Sequence, residues 1–438
     1  MDSVRLKKGK EKAVRQLHPW VFSGAIDHIK GKPQNGDIIM VTDSNNDFLA
    51  YGFFNNQSRV AVRLLEWNLE TEINEVWWRK KIKTALQLRT DLHTDQTNTY
   101  RVIFSEADYL PGLIVDRYAD FLSVQILTSG VERIKHILLD ELQNLLKPKG
   151  IFDRSDASAR AHEGMEASSG GILLGTEPPE FVTVCENGIF YQVNIAEGQK
   201  SGFYCDQRDN RKWVAEYTKG KKVLDCFSYS GGFSLNAMKN QASEVISVDS
   251  SALALDTLRR NIEINNFQNI PHRQIQSDVN KQLRMFREEN EKFDIITSFH
   301  VVEHIKEPLI ILEKLKKLLE DKGKLIIEVP NANDALLTIY QNEAFSNFTY
   351  WSCHLYLYTK HTLELLAKKA GLKVEFIKHI QRYPLSNHLH WLSKNKAGGH
   401  EKWGNFLDSK DLNQAYENQL ATLGATDTLI ACFTKEVK

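Results

Sequence analysis

The strongest constraint on this 438-residue chain is a strand–turn–helix–strand unit between Val223 and Asp249. Val223 and Leu224 read as a buried strand ending in Asp225. The turn Phe227-Ser228-Tyr229-Ser230 closes on Gly231-Gly232, so backbone can approach a ligand closely before a helix begins at Phe233. A second strand, Glu244 to Val248, ends in Asp249, and an acid at the tip of the second strand of such a unit is placed to hold a ribose diol. No G-x-G-x-x-G follows the first strand. Without that phosphate-cradling triplet, an adenosyl ligand lacking pyrophosphate fits better than a dinucleotide. S-adenosylmethionine (SAM) is the first candidate.

The length implies two or three domains. Basic and acidic residues balance at 56 each, so no global field advertises nucleic acid and any such contact must be local. One local patch is the N-terminus, where Arg5, Lys7, Lys8, Lys10, Lys12 and Arg15 face only Asp2 and Glu11. On charge alone it reads as a solvated terminus. The five cysteines are scattered and form no C-x-x-C pair, which points to neither a disulfide framework nor a zinc site, and no metal is expected. The N-terminal MDSVRLKKGKEK has no apolar core and no stretch approaches eighteen apolar residues. The expected location is cytoplasmic, with no membrane partner, and the sequence admits a homodimer.

Residues 1–70 read as a small β-rich module, with runs IIMVTD, FLAYGFF and VAVRLL broken by polar turns. Residues 71–192 read as a central α+β domain: an apolar stripe through Ile73, Val76, Trp77, Ile82 and Leu86, strands LIVDR and LSVQIL, and a helix Val131–Leu146. Residues 193–438 alternate strand and helix, which predicts a doubly wound α/β domain of Rossmann-like type, a mostly parallel sheet covered on both faces. Its third strand lies near His272–Gln276, its fourth at Phe293–Ile296 and its fifth at Leu325–Val329.

Residues 1 to about 296 resemble the PUA-containing class I SAM-dependent methyltransferases of 23S rRNA cytosine C5. HPWVFSGAI (His18–Ile26) and GDIIMVTD…FLAYGFFNNQSRVAVRLL (Gly36–Leu65) resemble the PUA-like domain. SEADYLPGLIVDRYADFLSVQIL (Ser105–Leu127) and DRSDASARAHEG (Asp153–Gly164) resemble the central domain, and GQKSGFYCDQRDNR with VLDCFSYSGGF resembles the cofactor entrance. The resemblance implies SAM as cofactor and structured RNA, 23S rRNA in that family, as substrate. It breaks near 297. Where the family carries D-P-P after strand four and Ser-Cys-Ser after strand five, this chain has Thr297-Ser298-Phe299-His300 and Pro330-Asn331-Ala332-Asn333. Residues 298–438, beginning FHVVEHIKEP, resemble instead class I methyltransferases acting on small molecules or sugars, so the chain reads as a chimaera.

The candidate cofactor residues are Asp225, Phe227, Ser228, Tyr229, Gly231 and Gly232 in the turn, Asp249 and Ser250 after strand two, and Asp278 and Val279 after strand three. By resemblance, Gln207 and Arg208 join them, and Lys200 and Phe203 close over cofactor and target. His300, Glu303 and His304 share one face if helical, and three readings stand: a general base, a metal held by all three, or a cap that orients the loop. Cytosine C5 methylation needs a thiolate nucleophile, and Cys353 is the nearest cysteine after strand five. The aromatic run Phe345 to Tyr358 reads as a lid or a local core, and the histidines of Lys378–His400 as a surface loop. Candidate RNA contacts are Lys7, Lys8 and exposed Trp20, Arg59 and Arg63. Three functions follow: methyl transfer to RNA, methyl transfer to a small hydroxylated or sugar-like acceptor, or binding of RNA and SAM without catalysis.

Overall fold

The structure, a computed structural model, describes residues 1–15, 18–198, 200–299, 301–349, 354–394 and 407–435. The chain divides into two compact units. The first comprises Met1–Gly188, Val193–Cys205 and Ser386–Phe406; the second comprises Ile189–Gln192, Asp206–Leu385 and Leu407–Lys438.

The first unit holds a six-stranded and a five-stranded sheet. Strand order in the larger is Trp20–Phe22, Val60–Glu66, Phe48–Phe54, Ile38–Thr42, Ser3–Leu6, Ile26–Lys30. The N-terminal run is thus not a solvated tail. Ser3–Leu6 is an inner strand, parallel to Ile38–Thr42 and antiparallel to Ile26–Lys30, with Val4 and Leu6 fully buried. Its alternation of apolar and polar residues faces Val4 and Leu6 into the core and leaves Ser3 and Arg5 part-exposed. Lys7 and Lys8 emerge just beyond it, exposed.

The five-stranded sheet runs Gly171–Gly175, Gly150–Asp153, Phe121–Ile126, Leu113–Tyr118, Thr99–Phe104. The helix Glu75–Gln87 packs on it, capped by Asn74, whose side chain accepts from Trp77 N–H. A second helix, expected as Val131–Leu146, is two: Ser129–Arg133 and Lys135–Leu146, with Ile134 leaving helical geometry between them. Phe53 of the six-stranded sheet stacks on Trp78 of the helix with ring centroids 5.7 Å apart, inside one apolar cluster that also takes Leu65, Ile103 and Leu142. That shared core explains why residues 1–70 and 71–188, distinct in pattern, form one compact body, whereas Ile189–Gln192 groups with the second unit and Val193–Cys205 with the first.

The second unit is the expected doubly wound sheet. Its order is His272–Gln276, Glu244–Asp249, Lys222–Cys226, Phe293–Phe299, Leu319–Pro330, Thr428–Lys435, Leu372–Ile380, and only Thr428–Lys435 runs antiparallel to its neighbours. The four parallel pairings from His272 to Pro330 join strands that are largely apolar where helices cover both faces, whereas the edge strand His272–Gln276 is polar and part-exposed. The order reverses between the first and fourth strands, so the carboxyl ends of Lys222–Cys226 and Phe293–Phe299 flank the crevice where such sheets take ligands.

A polar thread crosses this apolar sheet. Ser234 Oγ donates to Asp225 and lies 2.6 Å from Ser247 Oγ, which lies 3.2 Å from His272 Nε2. Burial pushes the His272 imidazole down to about 4. The unfolded chain, at about 6.5, takes this proton first, so stability falls as pH drops from about 6.5 towards 4. Burial pushes Asp225 up to about 6, and its contribution runs the other way, growing as pH falls below 6. His272→Gln is expected to remove the first effect alone. Its unfolding free energy from urea titration should lose about 1–2 kcal/mol less than the parent's between pH 7 and pH 5, a range reduced for partial exposure. Equal losses in both proteins would refute it.

Candidate functional site

The turn after the first strand of the doubly wound sheet is held in an unusual conformation. Phe227, Tyr229 and Gly231 all have positive φ (62°, 47° and 83°). Left-handed backbone at two aromatic residues is strained and persists only where the surroundings impose it. They do so here. Asp249 Oδ2 accepts from Tyr229 N–H at 2.8 Å, Val248 O accepts from Ser228 N–H at 3.1 Å, and Ser228 O accepts from Gly231 N–H at 2.8 Å. A Cβ on Gly231 would be strained at this φ and would lie 2.1 Å from Leu258 Cδ1. A Cβ on Gly232 would meet Arg211 Cδ at 2.7 Å.

Asp225 is buried, and both its oxygens face inward. Oδ2 accepts from Ser234 N–H (3.0 Å) and Oγ–H (2.6 Å), and Oδ1 from Thr297 Oγ–H at 3.3 Å. It therefore fixes the start of the helix Gly232–Lys239 against the first and fourth strands. Asp249 is half-buried, with Oδ1 accepting from Ser251 N–H at 2.9 Å. Each of its oxygens retains a further lone pair for a donor. Asp278 is exposed and caps the helix Val279–Glu288 by accepting from Lys281 N–H at 2.9 Å, with Val279 buried behind it. Ser277 N–H donates to Asp249 O at 3.0 Å, tying the third acid's loop to the second's. Ser250 is exposed beside them. The three acids, each at or just beyond the end of a strand, thus share one edge of the sheet.

Two further groups at this edge carried no pattern in the sequence. Glu328, fully buried near the end of the fifth strand, accepts from Asn210 Nδ2 at 2.7 Å, and the same amide donates to Gln207 Oε1 at 2.9 Å. Gln207, expected at the cofactor, is buried and aligned by this contact; Arg208 pairs with Asp209 at 3.2 Å. The signal available for Glu328 was its charge inside the otherwise apolar run LIIEVP. In the first unit, Phe203 is buried with its N–H donating to Tyr118 Oη at 3.2 Å, and the Lys200 ammonium lies 4.2 Å from the Tyr204 ring centroid.

Of the catalytic candidates, His300 and Cys353 lie outside the described residues. Glu303 and His304 sit on a short turn, Val302–His304, at the carboxyl end of the fourth strand, with Glu303 fully buried. Their companion in space is His354, whose ring centroid is 5.2 Å from that of His304. The aromatic run divides: Phe345 and Tyr358 are buried, whereas Phe348 and Tyr356 are exposed. The surface loop expected over Lys378–His400 is instead largely helix, Leu385–Lys394, with His388, His390 and Trp391 buried; His390 Nε2 lies 3.0 Å from Tyr109 Oη. His400 lies outside the described residues.

The RNA candidates also divide. Arg59 is exposed, but Arg63 is not, its side chain retaining 15% exposure. Its guanidinium pairs with Glu106 (2.8 Å) and Glu163 (2.7 Å) and lies 5.3 Å from the Trp20 ring centroid, while Trp20 Nε1 donates to Glu106 at 2.9 Å. Trp20 is half-buried by this arrangement. A cavity of about 740 Å³ opens beside it, lined by Trp20, Arg59, Arg63 and His162 among others. Among the described residues, no helix is long and apolar enough to cross a membrane.

Residues 4–67 match the family model of a PUA-like domain, and residues 203–376 match that of a methyltransferase domain, across the change of pattern near 297. The ribosomal RNA large subunit methyltransferase I of Aliivibrio fischeri is 41% identical over 295 residues, covering 67% of this chain and 74% of its own. The protein of the same name from Photobacterium profundum is 40% identical over 344 residues, covering 77% and 84%. A solved structure from Streptococcus mutans, described as a SAM-dependent methyltransferase candidate, superposes with a TM-score of 0.67 at 17% identity over 99% of this chain and 100% of its own, a likeness of fold. The PUA-like match, the doubly wound sheet and the identity to these relatives together place the chain in the ribosomal RNA large subunit methyltransferase I family, PUA-containing class I SAM-dependent methyltransferases.

Proposed function

We propose that this chain transfers a methyl group from SAM to RNA, with large-subunit (23S) ribosomal RNA as the substrate. The observation that carries the reading is the carboxyl edge of the second unit. There the Asp249 carboxylate keeps acceptor capacity for an adenosyl ribose beside the glycine turn, and Val279 and Asp278 would flank its adenine. The relatives' names supply the RNA acceptor. Lys7, Lys8, Arg59 and Trp20 would hold the RNA from residues 1–70, through phosphate contacts and stacking. Residues 71–192 and 193–438 stand as the central and methyltransferase domains of this reading, and the site of action is the cytoplasm.

SAM supplies a methyl group on a positively charged sulfur, so the transfer needs an aligned acceptor rather than an activated donor. The chain's own contribution is orientation: the turn at Phe227–Gly232 and the acids at Asp249 and Asp278 fix the donor, and alignment alone supplies a large rate factor.

A small hydroxylated or sugar-like acceptor is the second reading. It is favoured by the loop after the fifth strand, where Asn331 Nδ2 donates to Gly424 O and Thr426 O and no cysteine stands in Pro330–Asn333. Tritiated SAM offered to protein-free rRNA and to a small-metabolite extract separates the readings. Label in rRNA is the expected result. Label only in small molecules would replace the RNA reading, and none in either, with SAM still bound, would leave a binding protein. Where cytosine C5 is the labelled atom, Cys353→Ala should abolish transfer if that thiol is the nucleophile.

A further inference from the structure

The turn after the fourth strand holds a donor set that linear spacing does not show. A carboxylate oxygen of Glu303, a ring nitrogen of His304 and a ring nitrogen of His354 all lie within 4.8 Å of one another. The sequence suggested His300 with Glu303 and His304, whereas the fold brings His354 to the pair from fifty residues downstream. We propose that Glu303, His304 and His354 form a binding site for a first-row divalent metal ion, whose open coordination position takes a hydroxyl oxygen of the methyl acceptor.

The site is built rather than fortuitous. Glu303 O accepts from the N–H groups of both Leu355 (2.9 Å) and Tyr356 (3.2 Å), which pins the segment carrying His354 against the turn carrying Glu303 and His304. Tyr356 Oη donates to Lys306 O at 3.0 Å, and Ala332 N–H donates to Tyr358 O at 2.7 Å, so that segment is tied on both sides. The Glu303 side chain has no solvent exposure, and its Oε1 lies 3.9 Å from His304 Nε2.

Two imidazoles and one carboxylate form a set used for zinc and other first-row ions with a position left for water or substrate. Metal–ligand bonds of about 2.0–2.2 Å require ligand atoms about 3–4 Å apart. Closing from 4.8 Å needs a shift of about an ångström, which a rotamer adjustment of the 42% exposed His304 side chain covers. That exposed side is where the remaining coordination position would point. The placement suits the reaction: the fourth strand ends at Phe299, whose ring stacks 4.5 Å from Phe233 at the start of the helix after the glycine turn.

The chemistry balances without another reagent. The metal lowers the pKa of the bound acceptor hydroxyl, which releases its proton to water. The resulting oxygen forms the new O–C bond as the S–C bond of SAM breaks, and the bonding pair leaves on sulfur, giving a methyl ether, S-adenosylhomocysteine and one proton. The metal site stands on the cluster alone; its acceptor role rests on the methyltransferase reading above.

Titration of the full-length protein with cobalt(II), followed by visible absorption, and with zinc(II), followed by calorimetry, tests the site. One saturable equivalent is expected, weakened at least about 30-fold in both His304→Ala and His354→Ala. Glu303→Gln should do the same, but because it is buried the two histidine variants decide the matter. Both should keep the parent's thermal midpoint and bind SAM within about threefold of its affinity, so failure of the metal site is read apart from failure of the cofactor site. No saturable equivalent in the parent, or undiminished affinity in both histidine variants, overturns the proposal.

Discussion

Replacing Arg63 with alanine is expected to destabilise the first unit by about 3 kcal/mol in urea unfolding. The reason is what the substitution leaves behind. Glu163 retains 5% side-chain exposure and already accepts from Ser58 Oγ (2.8 Å) and Asn55 Nδ2 (3.0 Å), yet Arg63 is its cationic partner. Removing one member of such a pair strands the other charge in a poorly hydrated place, which is more damaging than the pair's own net worth. Glu106, at 23% exposure, can recover water and adds less. Two controls make the argument specific. Arg59→Ala, at an exposed position in the same module, should stay within about 0.5 kcal/mol of the parent. Arg63→Met combined with Glu163→Gln should recover part of the loss, because the stranded charge goes with its partner. Stability of Arg63→Ala equal to that of Arg59→Ala would show that the pair contributes nothing and would return Arg63 to the pool of RNA contacts.

That pair also marks a limit of the sequence. An arginine in an alternating strand such as VAVRLL reads as the solvent face, and nothing in the pattern says that another element covers it. The doubly wound half was legible for the opposite reason. Strands buried on both faces are apolar runs ending in acids, so Val223–Asp225 and Glu244–Asp249 declare their positions and their shared edge, whereas the edge strand His272–Gln276 is polar and part-exposed and is placed by the strand–helix alternation around it. Ser3–Leu6 was hidden by the lysines that follow it, which gave a four-residue strand the look of a charged tail. The fifth strand starts at Leu319, ahead of the expected Leu325, since Leu319 pairs with Phe293 across a register shift although Glu320–Gly323 resembles a turn. Polar composition made a loop of Leu385–Lys394, but its histidines are buried, and His390 meets a partner hydroxyl at Tyr109. Glu303, His304 and His354 meet only through tertiary packing, so no local spacing could announce them.

The cofactor edge carries the other large effect. Asp249→Ala removes the acceptor of two charge-assisted hydrogen bonds to a ribose diol, together about 3 kcal/mol, or about a hundredfold in affinity. It also releases Tyr229 N–H, the contact that holds a left-handed aromatic residue in the turn, and Ser251 N–H at the start of the next helix. Both consequences weaken binding at the same place, since the turn and the acid form one surface. The fold should survive, as Asp249 is only half-buried at the rim of a sheet whose core it does not enter. Calorimetric titration of SAM into the parent and into folded Asp249→Ala is therefore the most direct test. One site per chain is expected in the parent and about a hundredfold weaker binding in the variant; equal affinity in both would contradict the placement of the cofactor at this edge.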